Sequence, residues 1–406
     1  MKHNQRSQNS GLTIVIKVGT SSICDEKSHF PILSNLSGLV ETVLKLKAED
    51  HRVVVVTSAA VGTGLRRLNI SEKPSGLAAR QAVAAVGQGR LMALYDDLFG
   101  QFNQPVAQIL LTKNDLSDRS QYLNAVSCLE ELLNMGVVPI INENDTISTQ
   151  GIRFGDNDSL AAVVAGMIKA RYLFLLTDVD CLYTDNPRTN LDARPVYVCD
   201  DIEKLKEQVC VSSGGSALGT GGMITKLIAA ELATAAGVTT IITHGSKPKN
   251  IFNIIDTKNK QTGLTDKDIP LHTEFTAKNN PMIDRKWWIL HGLHTAGTIY
   301  VDNGAAKAVL SRQLRSSLFA AGIVDVEGIF NAQQAVRICL RQITKDGKTI
   351  DIDIGKGLAN YSSVEISRIK KCNSTEIPTI LGYVNADCVI HRDNLVRTAQ
   401  EDQIVQ

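Results

Sequence analysis

The chain has 406 residues, of which 43% are hydrophobic and 21% charged, and it carries a formal net charge of +1. This is an ordinary soluble composition with room for two domains, and the near-neutral balance gives no global reason to expect nucleic acid or an anionic membrane as main partner. Eight cysteines occur without a CxxC pair, and several (Cys181, Cys199, Cys339) sit in apolar runs; this argues against a disulfide framework and for reduced thiols in the cytoplasm.

The first 11 residues, MKHNQRSQNSG, are polar and lack the apolar core of a signal peptide or anchor, so residues 1–11 are expected to be a disordered tail. No apolar run is long enough to span a bilayer. Leu12 to Val18 has the pattern of a buried strand, interrupted by Lys17 and followed by Gly19, Thr20, Ser21 and Ser22. A lysine inside an apolar strand is costly unless an anion or carboxylate meets it, and the small residues after it let a backbone approach a ligand. A helix follows from about Leu33 to Ala48, then a second strand, Val53 to Val56, which exits into Thr57 and Ser58. The next segment, AAVGTG, is expected to bind a ligand carboxylate or phosphate through its backbone.

Gly76 to Phe99 reads as a helix, Val106 to Leu111 as a strand, Thr112 to Arg119 as its polar exit and Tyr122 to Leu133 as another helix. Val137 to Ile141 is a further β-branched strand. Its exit, NENDTISTQGIRFGDNDS, is the densest polar stretch at any strand end. Asp156 or Asp158 can cap the helix that follows, where Leu160, Val163, Val164 and Met167 recur at helical spacing up to about Lys169. Tyr172 to Leu176 is expected to be a parallel neighbour of the preceding strand. Asn142, Asp145, Asn157 and Asp158 would then converge at the carboxyl ends of the sheet, where α/β proteins bind ligands. Each taken alone is as readily a turn residue or a cap.

Leu176 exits into Thr177, Asp178, Val179 and Asp180. Asp178 fits a metal ligand, a ribose acceptor or a turn cap, and spacing does not choose among them. The most glycine-rich piece, SSGGSALGTGGMITK, reads as a flap that ends at a helix N-terminus, where free N–H groups and Lys226 can meet phosphates. It is not a Walker A loop, because the order GK[ST] is absent. The helix Ile224 to Ala236 and the strand Val238 to Thr243 follow, and from Ser246 to Asp268 the composition turns polar and loop-like. Alternating strands and helices imply right-handed crossovers and a three-layer αβα sandwich with a mostly parallel sheet. Residues 273–284 are expected to be a linker. Beyond them Thr298 to Val301, Ile323 to Val326, Ala335 to Leu340 and Thr349 to Ile354 suggest a small β-rich domain over residues 285–397, with 398–406 as a tail. Its modest basic surplus suits RNA or a solvated surface.

Two lysines far apart in the chain and a crevice of amides and carboxylates fit a phosphoryl donor beside a small polar acceptor. If that acceptor is a carboxylate, with a pKa of about 4.3 in water, it is already ionised and needs no general base. The requirement is relief of repulsion between two anions, for which Lys17 and Lys226, held by Asp158, are a plausible pair.

IVIKVGTS at Ile14 to Ser21, VVVVTSAAVGTG at Val53 to Gly64, VPIINEND at Val138 to Asp145, FGDNDSL at Phe154 to Leu160, LLTDVDCLYTDNPR at Leu175 to Arg188 and GTGGMITK at Gly219 to Lys226 resemble the glutamate 5-kinases of the amino-acid kinase family. They run in the family's order over residues 12–272, the expected kinase domain, while GTIYVDNGAAKAVL and LGYVNADCVIHRDNLV resemble a PUA domain. The resemblance implies ATP-dependent phosphorylation of the γ-carboxylate of L-glutamate, the first committed step toward proline. It implies that Lys17, Lys226 and Asp158 are catalytic and that Ser58, Asp145 and Asn157 hold glutamate. Lys17, Thr177, Asp178, Thr220, Gly221, Gly222, Met223, Ile224, Thr225 and Lys226 match the nucleotide site. Magnesium would be held by phosphates and water, with no metal site in the protein. The resemblance further implies a homo-oligomer, inhibition by proline, and delivery of an unstable acyl phosphate to a γ-glutamyl phosphate reductase; RNA is the partner class a PUA-like domain suggests. Ala59 stands where the family usually has glycine, and its methyl is expected to crowd the glutamate pocket or shift its affinity.

Overall fold

A computed structural model describes residues 11–112, 115–116, 118–148, 157–185, 190, 192–202, 204–205, 222–258, 269–278, 284–311, 316–343 and 349–399. The chain divides into two compact units: Met1–Asp115 with Arg119–Pro281, and Leu116–Asp118 with Met282–Gln406.

The first unit is built on an eight-stranded sheet. Its strands are β1 (Thr13–Val18), β2 (Arg52–Val56), β3 (Val106–Leu111), β4 (Val138–Glu143), β5 (Tyr172–Thr177), β8 (Val198–Cys199), β9 (Thr239–His244) and β10 (Thr273–Phe275); β6 (Leu182–Tyr183) and β7 (Pro195–Val196) pair apart as a small ribbon. The order is β3-β4-β2-β1-β5-β9-β10-β8, and every neighbouring pair is parallel except β9 and β10. Isoleucine and valine dominate β1 and β2, and residues of that shape fit a pleated surface buried on both sides.

Side-chain alternation then decides where the lysine goes. Ile14, Ile16 and Val18 share an apolar core with Leu36, Leu39, Val40, Val43 and Leu46 of helix Leu33–Ala48, whose 3- and 4-residue spacing makes one buried stripe. Val15 and Lys17 therefore face the other side, which helix Asn157–Met167 covers. That helix buries Ala161, Ala162, Val163, Val164 and Ala165 and packs on helix Met223–Ala235, which buries Ala229, Ala230 and Ala233. Small side chains on both let their backbones come close to each other and to β1.

Several sequence expectations need correction. Tyr172–Thr177 is not a neighbour of β4; it pairs with β1 and β9, and two strands, β2 and β1, lie between it and β4. The connection from β4 to β5 thus passes from one side of β1 to the other, which puts the first turn of helix Asn157–Met167 at the switch in strand order, the place where α/β sheets bind ligands. AAVGTG is mostly helical: Ala60–Arg67 is a helix. Gly64 serves packing there, because a Cβ on it would stand 1.9 Å from the Val83 carbonyl oxygen, and one on Gly87 would stand 1.8 Å from that of Ala60. Within the segment read as loop-like, Asn250–Lys258 is a helix that buries Ile251, Ile254 and Ile255. The expected linker opens on a strand, since Thr273 and Phe275 are fully buried in β10.

The second unit holds a five-stranded sheet, β12-β11-β13-β14-β15, formed by β11 (Gly297–Val301), β12 (Ile323–Glu327), β13 (Ala335–Ile343), β14 (Thr349–Leu358) and β15 (Leu395–Arg397). Only β11 and β13 pair in parallel. The sequence reading names none of this unit's helices, of which two have clear starts. Asn303–Leu310 starts where Asp302 accepts the Ala305 N–H at 2.8 Å, and Ser363–Ile369 starts at a reciprocal Ser362–Glu365 capping box.

Candidate active site

Lys17 is the penultimate residue of β1, Asp158 lies in the first turn of helix Asn157–Met167, and Lys226 lies in the first turn of helix Met223–Ala235. Strand alternation and the packing of the two helices bring these three together. Lys17 Nζ is 2.6 Å from Asp158 Oδ1, and Lys226 Nζ is 3.4 Å from Asp158 Oδ2. Relative exposures are 7% for each lysine and 1% for the aspartate. The Thr225 hydroxyl sits 3.2 Å from the same Oδ2 and 2.8 Å from the Gly222 carbonyl oxygen.

Burial alone would push the Asp158 carboxyl up, but the positive charges of Lys17 and Lys226 outweigh it and hold the group below its ordinary range. The trio as a whole keeps one positive charge. Removing Asp158 would leave two buried ammonium groups facing each other, whereas an incoming anion relieves the surplus positive charge. Around the ammonium groups the backbone is bare: a Cβ on Gly19 would stand 3.6 Å from Lys17 Nζ. Gly222, itself extended, caps helix Met223–Ala235, whose first N–H groups and Lys226 share one end, an arrangement suited to phosphate.

Ser58 and Asn157 are also brought together. Asn157 Nδ2 lies 3.0 Å from Ser58 Oγ, 2.8 Å from the Thr57 carbonyl oxygen and 2.9 Å from Asn142 Oδ1. Asp145 sits on the turn after β4, and no hydrogen bond joins it to either of them. Burial and the neighbouring Glu143 push its carboxyl up to about 6, with Lys73 pulling the other way. Thr177 ends β5, where its hydroxyl donates to Asp178 Oδ1 at 3.1 Å and its carbonyl accepts the Gly245 N–H at 2.7 Å. Met223, Ile224 and Thr225 form the first turn beside Lys226. Thr220, Gly221 and most of the glycine-rich segment lie outside the described residues, as does the loop up to Asp156.

Ala59 has φ 78 and ψ 12, the left-handed region, which explains a preference for glycine at this position. Its methyl is 6% exposed and belongs to the apolar core with Ile16 and Tyr95. The substitution is thus carried by the backbone, at about 1–3 kcal/mol, and the methyl is turned into the core.

Sequence reasoning missed the support behind this site. Gln88, on helix Leu77–Gly100, accepts from Asn142 Nδ2 at 2.7 Å; one face further along, the fully buried Tyr95 bonds the Thr57 hydroxyl at 2.8 Å. Burial raises the Tyr95 phenol far above its usual range and keeps it neutral. Only Asn142 had a visible signal, as the first residue of NEND.

As for a metal, the described residues contain no group of three or more His, Cys, Asp or Glu side chains that could hold one. Both Asp158 oxygens are engaged by ammonium groups.

A mostly parallel sheet with a buried lysine pair at its carboxyl edge is suited to holding an anionic ligand. Residues 12–244 match the amino acid kinase family, and residues 297–381 match the PUA domain. A probable glutamate 5-kinase of Schizosaccharomyces pombe is 52% identical over 397 residues, 98% of this chain and 96% of the relative. Glutamate 5-kinases of a Cyanothece strain and of Nostoc punctiforme are 50% and 48% identical, each over 384 residues that make up 95% of this chain and 99% of the relative. The chain belongs to the glutamate 5-kinase branch of the amino acid kinase family.

Proposed function

We propose that the protein transfers the γ-phosphoryl group of ATP to the γ-carboxylate of L-glutamate, giving γ-glutamyl phosphate for proline biosynthesis. The observation that carries this reading is the grip of Lys17 and Lys226 on one buried carboxylate. A carboxylate attacking a phosphoanhydride brings two anions together, and preorganised cations in a water-poor site are what that transition state needs. Asp158 aims both ammonium groups and remains ionised, so it serves as an organiser of charge and takes no proton. Ser58, Asn157 and Asp145 provide an acceptor subsite at the ends of β2 and β4, while Thr177, Asp178 and the first turn from Gly222 to Lys226, continued by Thr220 and Gly221, provide the nucleotide side. Magnesium would neutralise phosphate charge when bound. Nucleophile activation is unnecessary, because glutamate's side chain is ionised at neutral pH.

The reading places the enzyme in the cytoplasm as a homo-oligomer, with proline as end-product inhibitor and a γ-glutamyl phosphate reductase as consumer of its labile product. These rest on the family relationship. The deciding experiment incubates purified protein with ATP, magnesium and one candidate acid at a time, trapping acyl phosphate as hydroxamate. Glutamate is expected to support turnover and aspartate or N-acetylglutamate is not; turnover with another acid and none with glutamate would overturn the assignment.

A further inference from the structure

We infer that Gln88 is a positioning residue for the acceptor amino acid, acting through a relay of two amides that turns the Asn157 carbonyl oxygen toward the substrate's α-ammonium group. The inference rests on the reading above and adds a residue on a helix to it.

The orientation of each amide follows from backbone groups that have only one possible role. The Glu143 N–H can only donate, and it lies 2.9 Å from the Asn142 side chain; that atom is therefore Oδ1. The other end of Asn142 is then its NH₂ group, which donates to Gln88 at 2.7 Å, so Gln88 must present Oε1. Asn142 Oδ1 also faces Asn157 at 2.9 Å, which must present Nδ2. A second, independent pin agrees: the Thr57 carbonyl can only accept, and it lies 2.8 Å from the same Asn157 nitrogen. Asn142 itself is 1% exposed, so it cannot exchange these partners for water cheaply.

What remains is Asn157 Oδ1. It is buried and has no hydrogen-bond partner. A buried amide oxygen left over by a fully pinned network is an acceptor waiting for a donor, and glutamate has one donor group, its α-ammonium. Asp145 carries the negative charge of the same subsite. Gln88 reaches this arrangement from helix Leu77–Gly100, and without its acceptor the Asn142 NH₂ loses its partner and the relay loses its far anchor.

Wild type, Gln88→Met and Gln88→Glu are compared by steady-state kinetics and by calorimetric binding of glutamate and of glutarate, the same diacid without an amino group. Gln88→Met keeps the length and removes the acceptor. It should raise the KM and Kd for glutamate roughly tenfold, as expected for a hydrogen bond to a charged group, while the KM for ATP stays put. Glutarate binding should be almost unchanged, so the preference for glutamate over glutarate should shrink by the same factor. Gln88→Glu retains an acceptor oxygen and should recover most of the preference. Equal losses for glutamate and glutarate, or a Gln88→Glu no better than Gln88→Met, would mean a structural role only and overturn the relay. Should Gln88→Met lose its cooperative melt, Gln88→Ala gives the same comparison without added bulk. A wild type that binds glutamate with this Gln88 dependence but turns nothing over would support the relay and overturn the reaction; turnover without the dependence does the reverse.

Discussion

Lys226 and Lys17 approach one carboxylate from a helix and a strand, and the chain separates them by most of the first unit, so neither can be placed by local sequence alone. Their shared partner makes the Lys226→Ala variant informative. The remaining Lys17–Asp158 pair keeps the carboxylate ionised and the fold intact, while the developing charge on the transferring group loses one of its two cations. The expected result is a kcat lower by roughly a hundredfold or more with the glutamate KM little changed, read by hydroxamate kinetics. Asp145 poses a pH problem instead. Its carboxyl titrates at about 6, above the ordinary 3.8, because burial and Glu143 disfavour the ionised form. In the proposed acceptor subsite Asp145 would meet the substrate's ammonium group in its charged form, so the KM for glutamate is expected to rise as pH falls through about 6, with the ATP KM flat across the same range. The stability sign is opposite to that of a paired carboxylate. A raised folded-state pKa makes the ionised group a burden above about 6, and that burden disappears as pH falls below 3.8. Asp145→Asn should therefore raise Tm at neutral pH, leave it nearly unchanged at pH 3.5, and abolish the pH step in the glutamate KM. A KM profile that keeps its step in that variant would assign the titration elsewhere.

Helix Leu77–Gly100 ties packing to chemistry: Gly87 meets helix Ala60–Arg67 backbone to backbone, and the next residue is Gln88. A methyl at 87 would sit 1.8 Å from the Ala60 carbonyl oxygen and 2.5 Å from the Gly64 nitrogen. Neither atom is a flexible side-chain end, so one helix must move. Gly87→Ala is expected to destabilise by about 3 kcal/mol or more and to weaken glutamate binding by shifting Gln88 and the start of helix Ala60–Arg67, as read by denaturant midpoints and KM. A variant as stable as wild type would show that the crossing is slack. The same helix marks the limit of what the sequence discloses. Strands β1 to β5 are legible because β-branched runs between polar exits have few other readings, although β4 runs on through Asn142 and Glu143, which the sequence reading gives to its exit. The neighbours of β5 are not, since strand order is fixed by crossovers far apart in the chain. Ala60–Arg67 gives no helical signal because alanine and glycine provide no apolar period, and Asn250–Lys258 is hidden by the polar residues after it although Ile251, Ile254 and Ile255 keep helical spacing. Lys17 stands out as a charge in an apolar strand, Asp158 as one of a polar cluster that opens a helix and Lys226 as the lysine that follows a glycine-rich run; Gln88 does not stand out, being one amide in a long helix.

At the scale of the molecule, every described residue of the candidate site lies in the first unit. The second unit has its own sheet and its own apolar core, including Ile299, Val301, Ile338, Leu340 and Tyr361. It is therefore expected to be dispensable for phosphoryl transfer, provided the cut respects the sheet. The position of the cut matters because β10 sits between β9 and β8, with Phe275 fully buried and the Thr273 hydroxyl accepting the Leu182 N–H at 2.7 Å. Truncation after residue 272 removes that strand and strips both neighbours of their ladder. Truncation after residue 281 keeps it. The longer fragment is expected to fold and to retain measurable glutamate phosphorylation, with a lowered Tm because Leu116–Asp118 clusters with the unit that is removed. The shorter one is expected to lose its cooperative melt and its activity together, since an exposed pair of strand edges invites aggregation. A residue 1–281 fragment that melts cooperatively yet phosphorylates nothing would show that the reaction needs the PUA unit, and a fully active 1–272 fragment would show that β10 is an appendage of the sheet.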